Sequence, residues 1–212
     1  MKLFYGSQTF FEKPTFGEGN LDNDYGLGFY MTDSEELAEL WASQYENGGY
    51  ILCFEIDTTN LSLLNLEYKQ EDDVLKWITI LVSHRFSIED KATYKKEIDW
   101  LKDHFSVDLN DVDFVIGYRA DDAYFNYSKS FVAGELSFEK LSEAMRVGKL
   151  GLQYVAISKE AFSKIRFVSF KKVDYSDKYK VFRKKALEEY QKIKRNDEIK
   201  NTFLKDIIRK YE

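Results

Sequence analysis

A chain of 212 residues, 44% of them apolar and with a formal charge of -6, can bury a sizeable core, which excludes a disordered or low-complexity protein. One proline and one cysteine exclude a disulfide-stapled scaffold, and two histidines leave too few ligands for a zinc site built from Cys and His. The charge is uneven: residues 176–212 carry twelve Lys/Arg against seven Asp/Glu, a local +5, so residues 1–175 form an acidic body poorly suited to bulk nucleic-acid binding.

Aromatic residues at 17% favour sheet-rich packing and supply flat faces for stacking on rings. The opening Met1 to Gly6 lacks the apolar run of a signal peptide, and no stretch approaches the ~18 apolar residues of a membrane span, so the expectation is a cytoplasmic protein.

In chain order, Lys2 to Ser7 reads as a first strand stopping at Gly6, and Phe10 to Asn20, with Pro14, Gly17 and Gly19, reads as a loop. Gly26 and Gly28 then lead into Phe29-Tyr30, either a tight turn before a core strand or a strand whose entry runs beside a bulky ligand. Asp33 is a plausible N-cap with Glu36 three residues on, opening a helix through Leu40 and Trp41 to about Tyr45. Tyr50 to Ile56 is a dense β-type run and a central strand, Cys53 being buried within it; Leu61 to Leu66 extends the sheet or forms an edge.

Val74, Trp77, Ile78, Leu81 and Val82 recur at spacings of three and four, an amphipathic helix over Gln70 to Ser83 ending near His84-Arg85. A polar helical stretch from Ile88 to Phe105 follows, then a short strand, Phe114 to Gly117, and a polar loop, Tyr118 to Asp122. Ser137 caps a helix that Gly148 ends; Gln153 to Ser158 and Arg166 to Val173 are the last strands. Asp177 to Glu212 is a charged helix or helical pair whose stripe of Ile199, Phe203 and Ile207 must pack on the body, pair with another copy or receive a partner.

Familiar catalytic signatures are absent, and Gly26-x-Gly28 runs into a strand, which excludes a dinucleotide fingerprint that opens a helix. Asp121-Asp122 suits a metal or simple solvation. Arg85 suits a phosphate or the negative end of its own helix, and Gln153 suits a ligand or an edge backbone group.

The order of these elements resembles a bacterial family of unknown function, DUF3990, within the ADP-ribosyltransferase superfamily. The shared features are Leu3-Phe4-Tyr5-Gly6-Ser7, the block Asn23 to Thr32, the helix Ala38 to Ala42, His84-Arg85 after Trp77, Ile116 to Asp122, and Gln153-Tyr154. The resemblance covers about residues 2–173. It implies an α+β fold, an ADP-ribosyltransferase-like pair of small facing β-sheets with surrounding helices, here over residues 1–175, and a basic helical extension at 176–212.

The resemblance also implies NAD as substrate, no metal, and a cleft in which Tyr5, Gly6 and Arg85 hold the adenosine diphosphate end. Tyr30 and Trp41 would sandwich nicotinamide, with Asn23, Gly28 and Phe29 lining the same pocket. Tyr5 stands where the family pattern has His, and the late Glu that steadies a ribosyl cation is replaced by Gln153, so Asp121 or Asp122 with Gln153 would face the ribose. The implied activity is NAD-dependent ADP-ribosyl transfer to a protein or nucleic-acid acceptor by an intracellular bacterial toxin or effector. Alternatives are a catalytically weak NAD-binding or protein-interaction module and an NAD glycohydrolase. The 176–212 segment would serve an antitoxin or partner helix, with no membrane role.

Overall fold

The computed structural model describes residues 1–120, 122–147, 151–196 and 199–212, excepting the side chains of 122–124, 146 and 147. Two small sheets share the strands. The first orders β1 (Lys2–Ser7), β3 (Gly49–Ile56) and β7 (Ile165–Val173), all antiparallel, with β3 in the middle. The second orders β2 (Phe29–Met31), β6 (Leu152–Ala156), β5 (Phe114–Tyr118) and β4 (Leu63–Asn65), antiparallel except for the parallel β4–β5 edge. A single isolated bridge, in which Phe4 and Thr32 exchange backbone hydrogen bonds of 2.7 and 2.9 Å, links the ladders among the described residues.

Strand alternation explains how the sheets face each other. Successive strand residues point to opposite faces, so Leu3, Leu52, Phe54 and Ile56 of the first sheet meet Phe29, Met31, Phe114 and Ala156 of the second in one core, with Phe162 at its rim. The intervening residues of β1 and β3, Phe4, Ile51 and Cys53, pack on the other side against Ala38 and Ala42 of helix α1 (Glu35–Ala42). This double burial accounts for the nearly continuous apolar run of β3.

The outer face of the second sheet carries the larger core. Val74, Trp77, Ile78 and Leu81 of α2 (Glu71–Arg85) are fully buried there, as their spacing demands. The polar stretch after it divides into α3 (Ile88–Thr93) and α4 (Lys95–Phe105). Helix α5 (Asp122–Val132), continuous with what reads in sequence as a polar loop, adds Tyr127 and Phe131, and α6 (Phe138–Val147) adds Leu141 and Ala144. Ser137 caps α6 by accepting from Lys140 N at 3.3 Å; Gly148, the expected C-cap, lies outside the described residues. A short α7 (Lys159–Ser163) precedes β7.

Two local expectations are corrected. The cap of α1 is Ser34, whose Oγ accepts from Leu37 N at 3.2 Å, and the helix stops at Ala42, short of Tyr45. The 176–212 segment is not an open appendage. Its helices, α8 (Lys178–Arg195) and α9 (Leu204–Tyr211), pack on the body, with Tyr190 against Tyr127 at 3.6 Å between ring centroids and Leu204 and Ile207 fully buried in the large core. Of the stripe, Ile207 is buried in the chain's own core, whereas Ile199 and Phe203 are half-buried; Val181 and Leu187 are the exposed large apolar residues of α8. No helix among the described residues is long and apolar enough to cross a membrane.

Candidate functional site

A cleft of about 1130 Å³ opens where the sheets meet, walled by the loop of residues 11–28, the end of α1 and the end of α2. That volume is somewhat above the ~300–1,000 Å³ of ordinary small-molecule pockets. Tyr5, Gly6, Asn23, Gly28, Phe29, Tyr30, Trp41, Arg85 and Gln153 all line it, so the structure brings together every described residue that the sequence singles out. Asp121 lies outside the described residues, and of Asp122 only the backbone is described. The edge strand β2 divides the lining residues into two groups.

On the side facing the first sheet, Tyr5 packs on Phe29 at 4.8 Å between centroids, with Phe11 edge-on at 5.7 Å from Tyr5. Burial, with Tyr45 next in influence, pushes the Tyr5 phenol above its ordinary value against the pull of Arg119, so it enters the cleft as a neutral donor. Gly6 is explained by packing: a Cβ there would stand 2.3 Å from Ala38 O and 2.8 Å from Trp41 Cβ, so the absent side chain lets α1 lie directly on β1. Gly28 has a comparable reason, since a Cβ would meet Val155 Cγ1 at 2.8 Å and Ala156 O at 3.0 Å. Both glycines thus let neighbouring backbone pack closely, and both line the cleft.

At the end of α1, the Trp41 ring is covered on one face by the guanidinium of Arg119, whose carbon lies 4.0 Å from the ring centroid. Cation–π attraction of this kind is worth about 0.5–2 kcal/mol. Trp41 thus presents an aromatic–cation unit to the cleft.

On the helix side of β2, Tyr30 points away from Phe29, toward Tyr25 and the large core. Its hydroxyl donates to Gly26 O at 2.7 Å and accepts from Tyr25 N at 3.0 Å. These bonds close a turn in which Gly26 has φ +73°, a conformation that glycine takes without strain. Burial raises the Tyr30 phenol far above its usual range, so it remains a neutral hydroxyl.

Beside it lies a group that sequence reasoning left without a role. Asp24 is 6% exposed, and its carboxylate gathers three donors: Arg85 Nη1 at 2.8 Å on Oδ1, and Ala120 N at 2.8 Å and Gln153 Nε2 at 2.7 Å on Oδ2. The same Arg85 nitrogen donates to Ala120 O, and its guanidinium lies 4.7 Å from the Phe125 centroid. A loop, the C-terminal end of α2, the end of β5 and the start of β6 are thereby joined at one buried carboxylate. Such satisfied networks hold a unique geometry, and each member becomes costly to remove.

Asp24 could be found in the sequence only as the acid of the Asn23–Thr32 block, and Arg119 only as a loop cation. His84 precedes Arg85 at the end of α2. It lines the cleft with its ring against Gly26, where a Cβ would meet His84 Cε1 at 2.9 Å.

Two small sheets packed face to face, with an aromatic and cationic cleft at their junction, define an α+β protein with a preformed ligand-sized site. The chain belongs to the family described as Protein of unknown function (DUF3990), whose match covers residues 1–167 and ends inside β7, before the C-terminal helices. No curated protein and no solved structure matches it significantly.

Proposed function

We propose that the chain is an ADP-ribosyltransferase-like enzyme that binds NAD in the cleft between its sheets and transfers ADP-ribose to a macromolecular acceptor. The observation that carries the reading is the convergence on one cleft of neutral phenols, an aromatic face and two guanidinium groups, those of Tyr5, Tyr30, Trp41, Arg85 and Arg119. Flat rings suit nicotinamide and adenine, the Tyr5 hydroxyl suits a ribose oxygen, and guanidinium suits a diphosphate. Arg85, already bonded to Asp24, and Arg119, stacked on Trp41, are the two guanidinium groups at this cleft that a diphosphate would meet.

In this reaction the bond between ribose C1′ and the nicotinamide nitrogen breaks, and its electron pair leaves with neutral nicotinamide. A nucleophilic oxygen or nitrogen of the acceptor bonds to C1′ and gives up its proton to solvent. Positive charge develops on the ribose meanwhile, and preorganised acceptors near it lower the barrier. The resemblance to the ADP-ribosyltransferase superfamily supports the same reading, as does the facing of the two sheets. A toxin or effector role, with an antitoxin as partner, rests on that resemblance alone.

The test is incubation of the full chain with NAD labelled in its adenylate part, with and without a cell lysate. Label on a macromolecule together with nicotinamide release is the expected result. Absence of both would overturn the reading, and free ADP-ribose without a labelled macromolecule would make the protein a glycohydrolase. A second reading, NAD binding with little turnover, is favoured by one observation: the uncharged Gln153 occupies the cleft where the superfamily resemblance implies a Glu. Thermal stabilisation by NAD without nicotinamide release would select it. At ~100 times the dissociation constant the ligand adds about 2.7 kcal/mol.

A further inference from the structure

A carboxylate can only accept hydrogen bonds, so the 2.7 Å contact with Asp24 Oδ2 fixes which end of the Gln153 amide is which. The NH₂ group must face Asp24, and Oε1 must point the other way. Gln153 lines the cleft, and its Oε1 has no partner among the described residues. The amide is thus held as a one-sided device, with the donor spent internally and the acceptor offered to a ligand. Asp24 itself cannot swing round to meet a ligand, being held by Ala120 N and by Arg85 as well.

We propose that Asp24 is a positioning residue that acts through Gln153, presenting Oε1 as a hydrogen-bond acceptor to a ribose hydroxyl of NAD. This rests on the reading given above and deepens it, since it names how the site manages without a Glu. The negative charge stays buried on Asp24 and reaches the ribose second-hand, by polarising the amide that lies against it. Hydrogen bonds in series strengthen one another in this sense. Asp24→Asn removes the charge and puts an NH₂ on one side: toward Arg85 it loses the ion pair and the polarisation of Gln153, and toward Gln153 Nε2 it makes the glutamine amide turn over and withdraw Oε1.

The experiment is a double-mutant cycle on the full chain with unlabelled NAD, reading nicotinamide release and, separately, NAD binding by calorimetry. Gln153→Met removes the acceptor at similar volume and leaves Asp24 bonded to Arg85 and Ala120, so it tests the acceptor even if Asp24→Asn folds poorly. Each single variant is expected to lower the release rate by about tenfold to a hundredfold, with NAD affinity changed much less than the rate. The double variant is expected to lose no more than Gln153→Met alone, within about threefold.

Wild-type release retained in Gln153→Met would overturn the proposal. So would a loss from Asp24→Asn that is equally large in both backgrounds, because the aspartate would then act by another route. Failure of the wild-type chain to bind NAD or release nicotinamide would overturn both this inference and the underlying reading. That outcome is recognised from the unsubstituted protein alone.

Discussion

Arg119 stacks on Trp41 with 4.0 Å between guanidinium carbon and ring centroid, and this places the indole at the wall of the cleft. The other two tryptophans sit elsewhere: Trp77 is fully buried in the large core and Trp100 stacks on His104 at 4.6 Å. Titration with NAD should therefore quench intrinsic fluorescence through Trp41, and Trp41→Phe should remove most of that quench while keeping the melting temperature near that of the parent. Quenching that survives in Trp41→Phe would place the ligand away from this wall.

Arg85 and Asp24 form an ion pair whose side chains are 19% and 7% exposed. Removing one partner of a buried pair leaves an uncompensated charge at a cost of about 3–5 kcal/mol. Arg85→Ala should lose stability on that scale in urea unfolding. Combining it with Asp24→Asn should give back part of the loss, whereas strict additivity would mean that the pair is not coupled.

Gly6→Ala puts a methyl 2.3 Å from Ala38 O, which is backbone of α1 and cannot turn aside. Overpacking of this kind costs about 1–3 kcal/mol, and here it would also lift Trp41 away from β1. Gly17→Ala is the control, because nothing lies within 4 Å of its added carbon and only the backbone conformation at φ +83° is strained. The urea midpoint of Gly6→Ala should fall well below that of Gly17→Ala.

His84 gives the protein an acid-side sensitivity. Burial is the main cause of its lowered pKa, with Lys91 adding to it, while a bond to the Leu21 backbone and the acids Asp22 and Asp24 pull the other way. Its folded value lies below the ordinary 6.5, so as pH falls through 6.5 the unfolded chain takes up the proton first. The stabilising contribution is full above that value and is lost as pH drops toward the lowered one. Melting temperatures of His84→Gln should therefore decline less steeply than those of the parent just below pH 6.5; parallel curves would show that the ring does not titrate with folding.

The C-terminal helices supply a fifth expectation. Ile207 is fully buried and Tyr211 packs edge-on to Trp100 and Phe105 of α4. Ile207→Ala should cost about 2–5 kcal/mol, and removal of residues 176–212 should abolish cooperative unfolding by exposing the apolar face of α4. A truncated chain that melts cooperatively and still binds NAD would return the segment to the status of an appendage.

What the sequence made legible followed local chemistry. The run from Tyr50 to Ile56 announced a strand covered on both faces, and the spacing of Val74, Trp77, Ile78 and Leu81 announced the buried side of α2. Helix α5 escaped because Asp122 follows two other polar-loop residues, Arg119 and Asp121, and its apolar contacts, Tyr127 and Phe131, are separated by Ser128, Lys129 and Ser130. The α1 cap fell one residue late because Asp33 and Ser34 are both good caps, and the geometry at Ser34 decides.

The site divides along the same line. Its lining could be collected from motifs, but its wiring could not. Asp24 meets Ala120 and Gln153 across separations of 96 and 129 residues, which no local pattern encodes. Arg85 is read from its position as a helix-end cation open to an anion, whereas the fold commits it to a carboxylate. Trp41 is read as an aromatic face alone, and the guanidinium that covers one side of it comes from Arg119, 78 positions away.

The Phe4–Thr32 bridge has a mechanical consequence. With the two ladders tied at one residue pair among those described, the rest of the join between them is side-chain packing, Leu3, Leu52 and Phe54 against Phe29, Met31 and Phe114, which fixes no hydrogen-bond register. The edge of the opening, where Tyr5 meets Phe29 across the sheets, therefore depends on two backbone hydrogen bonds. Amide exchange should register this as faster protection loss at Phe4 and Thr32 than at Leu52 and Phe54 on the central strand, and as slowing at the first pair once the opening is filled.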